Sequence, residues 1–294
     1  MSHTEENIIV LIKSTDDYFK LYSLLEKEIT NTTISIHIEK TFLEPLDVLI
    51  LAQFIIRQKQ RQCAISVNAD VYILDYLKAI NIVDFCNFNY KEPTTIKSIE
   101  SYTAMPICRV EESTMDNYIQ STQEYFITFC EGKDLGMLNL CLSELINNVY
   151  NHSHSAIGAY VFAQYYFKTN EIKLAVSDLG IGIPMSVNTY KKELGEKELS
   201  PRECVTWALK EDMTTKSIPR NMGKGLDNIK SFMKSNNCSW KLYTDGILMN
   251  AYPSANKYEV NPISFFKGTI AQLNIKIDNL PNEEIQDQLD WANF

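Results

Sequence analysis

Up to about Asn89, short runs of β-branched residues alternate with segments of helical apolar spacing. This alternation confines the first part of the chain to folds in which helices pack on a sheet. Asn7–Ile12 (NIIVLI) and Thr33–Ile38 (TISIHI) read as strands because β-branched residues dominate them. Asp17–Thr30 carries helical spacing. Leu43–Arg61 carries it too, and its closing basic residues Arg57, Lys59 and Arg61 suit a helix C-terminus. Cys63–Val67 reads as a third strand and Val71–Ile80 as a helix facing the sheet.

The polar, Thr- and Ser-containing stretch Lys91–Thr103 then reads as a linker. Beyond it the spacing predicts a strand at Pro106–Val110, helices at Glu112–Cys130 and Leu135–His152, and strands at Ala156–Phe167 and Glu171–Ser177. A loop-rich stretch follows from Asp178 to Met222, broken by a helix near Pro201–Lys210. A helix over Gly225–Lys234 and strands at Ser239–Tyr243, Gly246–Ala251 and Gly268–Ile277 complete the order. The expected fold class is α/β throughout. The second part is expected to be a sandwich of mostly antiparallel strands on one face and helices on the other.

A chain of 294 residues accommodates two modest domains. Its net charge of −9 argues against non-specific nucleic-acid binding, which needs a basic footprint. The seven cysteines form no CxxC pair, so zinc knuckles and redox motifs are not expected, and buried thiols in a reducing compartment are. The longest apolar stretch, Val48–Ile56, is broken by Gln53 and is too short to span a bilayer. No secretory signal is visible at the polar N-terminus. The expectation is a cytoplasmic protein without membrane or nucleic-acid partners.

Three segments carry chemistry. In LNLCLSELINNVYNHSHS, Leu138, Cys141, Leu142, Leu145 and Val149 share one helix face, while Glu144, Asn147, Asn148, Asn151 and His152 share another. An Asn oxygen suits a hard cation such as Mg²⁺, and a Glu one turn away can deprotonate water. In VSDLGIGIP, an apolar strand runs into Asp178, followed by Gly180 and Gly182, which permit close backbone approach. A carboxylate at a strand end can accept from an exocyclic amine. In RNMGKGLDNIKSF, Gly223, Lys224 and Gly225 open an amphipathic helix with Leu226, Ile229 and Phe232 on its apolar side. Free N–H groups and the positive dipole end there suit phosphate. From Met213 to Ser235 the basic residues are Lys216, Arg220, Lys224, Lys230 and Lys234 against a single acid, Asp227, which also favours a polyanion. Gly268-Thr269 opens a last strand.

In this order, ExxxN on a helix, DxGxG, a long intervening segment, GxG opening a helix and GT on a strand resemble the GHKL (Bergerat-fold, histidine-kinase-like) ATPase superfamily over about Met105–Ile277. The resemblance implies ATP and Mg²⁺ as ligands. It implies Asn148 as the metal ligand and Glu144 as the general base, as in the ATPases and anti-sigma serine kinases. Asp178 becomes the adenine reader, with Gly180 and Gly182 shaping that pocket and Thr269 supporting Asp178. Met185–Met222 becomes a mobile lid, and Gly223, Lys224, Gly225 and Leu226 lie at the phosphates. The usual GxGLG departs here, Asp227 standing for the last glycine.

The segment from Ile34 to Phe85 is similar to a STAS domain, the regulatory module of anti-anti-sigma factors. The position where phosphorylated members carry Ser or Thr reads Glu44-Pro45-Leu46-Asp47, with no hydroxyl. The expected organisation is a STAS-like domain over 1–95, a linker over 96–104, a Bergerat-fold domain over 105–278 and an acidic tail over 279–294, read as loosely packed.

Three functions are compatible with this pattern. One is an ATPase or Ser/Thr-type kinase of a regulatory partner protein, in bacterial partner-switching signalling. The second is a non-catalytic nucleotide-gated binding module. The third, a homodimerising gyrase- or chaperone-like machine, is disfavoured because little chain follows Ile277 to serve as a transducer. A classical histidine kinase is not expected: His152 and His154 read as capping or supporting residues, and no acceptor hairpin fits before Met105.

Overall fold

The computed structural model describes residues 7–90, 103–155, 158–210, 225–252, 257–262 and 267–283. It is a mixed α/β structure with two sheets, one parallel and one antiparallel.

In the first unit β1 (Asn7–Ile12), β2 (Thr33–Ile38), β3 (Ala64–Ala69) and β4 (Asn89–Tyr90) form a parallel sheet in that order. The connections run through α1 (Thr15–Glu26), α2 (Pro45–Gln60), and α3 (Val71–Ala79) with α4 (Ile82–Cys86). Asp70 caps α3, its carboxylate accepting from Tyr72 N–H at 2.8 Å. The expected strands and helices of this unit all form, with ends shifted by a few residues.

The second unit is built on a seven-stranded, fully antiparallel sheet. Its order is β10 (Lys257–Pro262), β9 (Ile247–Tyr252), β8 (Ser239–Thr244), β11 (Thr269–Lys276), β7 (Glu171–Asp178), β6 (Ala159–Tyr166) and β5 (Cys108–Val110). Its helices are α5 (Met115–Ile127), α6 (Gly136–Asn148), α7 (Gly182–Glu193), α8 (Pro201–Ala208) and α9 (Gly225–Ser235). Side chains alternate across each strand. Leu174 and Val176 of β7 face the core shared with α6 and α9, whereas Ala175 faces the first unit.

The reverse face of this sheet is covered by the first unit. Residues Pro45–Ile55 of α2 are all buried, because the helix lies between β3 on one side and β6, β7 and β11 on the other. A helix apolar on every side requires such a position. Polar groups fix the docking. Gln272 Oε1 of β11 accepts the Leu46 N–H at 3.1 Å, satisfying an otherwise orphan donor in the first turn of α2. Tyr76 donates its hydroxyl to Gln164 of β6 at 2.8 Å. Glu44 takes Lys173 of β7 at 2.5 Å and lies 3.9 Å from Lys241 of β8. Phe19 stacks on Tyr243, with ring centroids 4.7 Å apart. The two parts thus share one apolar cluster that runs from Ile12 to Ile270.

Several expectations are corrected. The stretch from Asp178 to Met222, which contains the expected lid, was expected to be loop-rich. Gly182–Glu193 is instead helix α7, packed on α8, and residues 211–222 lie outside the described residues. Its sequence GIPMSVNTYKKE has weak helix formers and no clear apolar period, which hides it. Strand β10 was not anticipated. The expected helix Leu135–His152 changes at Asn148 into a π-turn, Val149–Ser153. The expected tail is ordered at its start: Lys133 Nζ donates to Leu280 O and to Asn282 Oδ1, both at 3.0 Å. The rest of it, residues 284–294, and most of the expected linker, 91–102, lie outside the described residues. All seven cysteines are free thiols, six of them buried. Among the described residues, no helix is long and apolar enough to cross a membrane.

Candidate functional site

Strand register assembles one end of the site. Thr244 of β8 pairs with Thr269 of β11, and Thr269 pairs with Asp178 of β7. All three therefore lie in one cross-strand row, on the face that packs against α6. The two threonine hydroxyl oxygens are 3.3 Å apart, and Thr244 Oγ1 also accepts the Ile183 N–H at 2.9 Å.

Asp178 is 2% exposed. Its Oδ1 accepts the Gly180 N–H at 2.7 Å, and the Thr269 backbone also donates to the carboxylate. Burial pushes its carboxyl up to about 7, although both backbone donors pull it down. Its donors are backbone N–H groups, and among the described residues no cation pairs with it.

Three glycines make this end possible. A Cβ on Gly180 would lie 1.9 Å from Ser153 O, one on Gly268 2.3 Å from Asp178 O, and one on Gly182 3.1 Å from Thr244 Oγ1. Gly182 and Gly268 also have positive φ, which glycine adopts without penalty. The close approach at Gly180 is to the chain itself. There Ile181 N–H donates to Ser153 O at 2.7 Å, tying the loop after β7 to the π-turn. The sequence suggested close approach to a ligand at Gly180 and gave no sign of this partner.

The other end lies on α6. Leu138, Cys141, Leu142, Leu145 and Ile146 are buried, while Glu144, Asn147 and Asn148 are half-buried on the adjoining face, as the spacing predicts. Asn148 leads directly into the π-turn, a feature frequent at functional sites. Helix α6 packs on α9 and β7, and the π-turn packs on α7 and β7, so both ends belong to one framework. Glu144 Oε1 accepts from Asn228 Nδ2 of α9 at 3.2 Å. Asn228 escaped sequence reasoning because a lone Asn on the polar side of an amphipathic helix carries no signal.

Gly225 begins α9, and Leu226 is half-buried against the core. Gly223 and Lys224 lie outside the described residues, as do Lys216 and Arg220. Lys230 donates to Leu209 O at 3.2 Å and pairs with Asp227 at 3.3 Å, tying α9 to the end of α8.

The arrangement combines a buried carboxylate among backbone donors with a Glu and an Asn one turn apart. That donor set suits an amine-bearing ring at one end and a hard cation with an anionic group at the other. Among the described residues, no group of three or more His, Cys, Asp or Glu could hold a metal by itself. A search against protein-family models finds no match, and no curated protein matches the chain.

Proposed function

We propose that this chain binds Mg-ATP in a Bergerat-type site. It then hydrolyses the nucleotide or passes its terminal phosphoryl group to a Ser or Thr of a regulatory partner protein. The observation that carries this reading is Asp178. A carboxylate at 2% exposure with no cationic partner among the described residues is costly unless an external donor completes it. The exocyclic amine of adenine is such a donor. Thr269, beside Asp178 in the row, supports it, and Gly180 and Gly182 let the loop after β7 pack closely on Ser153 and Thr244 around the carboxylate.

The half-buried Asn148 offers an oxygen to Mg²⁺, the rest of whose coordination would come from phosphate and water. When bound, the ion neutralises charge on the transferring phosphoryl group. Glu144 acts as general base: its carboxylate takes the proton of water or of a partner hydroxyl. That oxygen bonds to the terminal phosphorus as the bond to the bridging oxygen breaks. Gly225, at the start of α9, presents backbone N–H to the phosphates.

The STAS-like first unit acts in cis in this reading, because it backs the strands that carry Asp178 and Thr269. Where a hydroxyl would be phosphorylated in STAS relatives, Glu44 is held by Lys173.

The test is calorimetric titration with Mg-ATP, together with ADP release, on the wild-type chain and Glu144→Ala. Expected are micromolar binding by both and at least a 100-fold loss of turnover in the variant. Equal turnover removes Glu144 from catalysis. Binding without any ADP, alone or with a partner, supports a nucleotide-gated binding module instead. Absence of binding removes the proposal.

A further inference from the structure

We infer that Asn228, in the first turn of α9, is the positioning residue for Glu144. The inference rests on the ATP-hydrolysing reading above and extends it to a residue outside the family motifs. Asn228 Nδ2 donates to Glu144 Oε1 at 3.2 Å, and both side chains are half-buried.

The pair is held by packing. On α9, Ile229, Phe232 and Met233 are buried in the same cluster as Leu138, Cys141, Leu142, Leu145 and Ile146 of α6. Two helices locked through eight core side chains leave little freedom in the separation of Asn228 from Glu144. The chemistry of the donor also fits. An amide N–H stabilises the ionised carboxylate without competing for a proton at neutral pH. It engages Oε1 and leaves Oε2 to receive the proton of the attacking water or hydroxyl.

Position along α9 adds a consequence. The helix starts at Gly225, three residues before Asn228, so whatever seats the helix start against phosphate also sets the amide that aims the base. Asn228 thereby joins the phosphate end of the site to its general base.

The experiment measures kcat against pH, and the dissociation constant for Mg-ATP, in the full chain and four variants. In Asn228→Ala, kcat falls about tenfold while the dissociation constant stays within twofold. In the isosteric Asn228→Asp, a second carboxylate faces Glu144, and the acidic limb of the kcat profile moves up by about one pH unit. Adding Asn228→Ala to Glu144→Ala costs no further activity, since the amide acts through the carboxylate. Unchanged kcat in Asn228→Ala overturns the inference, as does an equal tenfold loss on the Glu144→Ala background. If the alanine variant melts early, the pH shift of Asn228→Asp decides alone, and an unmoved profile rejects the inference. A wild-type chain that binds Mg-ATP without releasing ADP also overturns it, whereas one that binds no nucleotide fails the earlier proposal itself.

Discussion

Two buried aspartates differ in what answers their charge. Asp47, in α2, is fully buried where the two units meet; Asp178 is 2% exposed at the end of β7. Burial raises both carboxyls. Their partners differ. Asp47 Oδ2 meets Lys40 Nζ at 2.5 Å and the Glu44 N–H at 2.8 Å, so a counter-charge is supplied within the fold, although among the described residues its Oδ1 has no hydrogen-bond partner. Asp178 has backbone N–H groups and, among the described residues, no lysine or arginine. A counter-ion built into the structure marks an internal joint; in the proposed reading, its lack beside Asp178 leaves the carboxylate to a donor from outside.

The sharpest way to break this contrast is Asp178→Asn. Nucleotide binding should weaken by 100-fold or more in calorimetric titration, since the amide presents a donor to an incoming amine. The same change should stabilise the unliganded chain. Asp178 carries a native pKa of about 7 against 3.8 in the unfolded chain. Between these values the native state holds a proton that the unfolded state has released, so stability falls as pH rises from about 4 through 7 and then levels. Asparagine removes that loss. A gain of about 2 kcal/mol at pH 8, against an upper bound of about 4, is expected from denaturant melts, with little change at pH 4. A variant less stable at pH 8 than the wild type would contradict the assignment of Asp178 as a group awaiting its partner.

Removing the internal counter-ion should do the reverse. Lys40→Met leaves Asp47 charged and buried, and should cost about 3 kcal/mol near neutral pH. The deficit should shrink in acid, where Asp47 takes up a proton. Lys40→Met with Asp47→Leu should recover most of the loss, and nucleotide binding should stay within a few-fold of wild type. If the double variant is no better than the single one, the pair is more than a compensated joint.

The smallest effect is expected at the rim of the joint. Burial raises the Glu44 carboxyl, but the Lys173 hydrogen bond and the charges of Lys173, Lys241 and Lys40 outweigh it and leave it below the usual range. A depressed native pKa contributes stability above the unfolded value, and the contribution disappears as pH falls through the native one. Glu44→Gln should therefore cost about 1 kcal/mol at pH 7 and nearly nothing at pH 3, read from urea midpoints. A deficit that persists at pH 3 would point to packing rather than charge.

The sequence disclosed periodic features and hid those that depend on company. The strands Asn7–Ile12, Thr33–Ile38 and Glu171–Asp178 were visible because β-branched and apolar residues mark them. So was α6, with its separate apolar and Glu/Asn faces. The meeting of the two units was not visible. Gln164, Gln272, Lys173 and Lys241 look solvated in a strand, and only the register reveals that they face Tyr76, Leu46 and Glu44. Within the candidate site, Asp178 and its glycines stood out only through their order with the ExxxN and GxG segments, because DxGxG alone also suits a tight turn. Thr244 and Asn228 did not, since each acquires meaning from a residue distant in sequence.

Helix α2 limits where a partner of the first unit could bind. Coated by one sheet on each side, it has no solvated flank along Pro45–Ile55 on which a partner could dock. The exposed side of the parallel sheet and the ends of its helices remain open to one. Because α2 touches β6, β7 and β11, a displacement of the first unit would be carried to the strand that ends in Asp178, as a load passed along a shared beam.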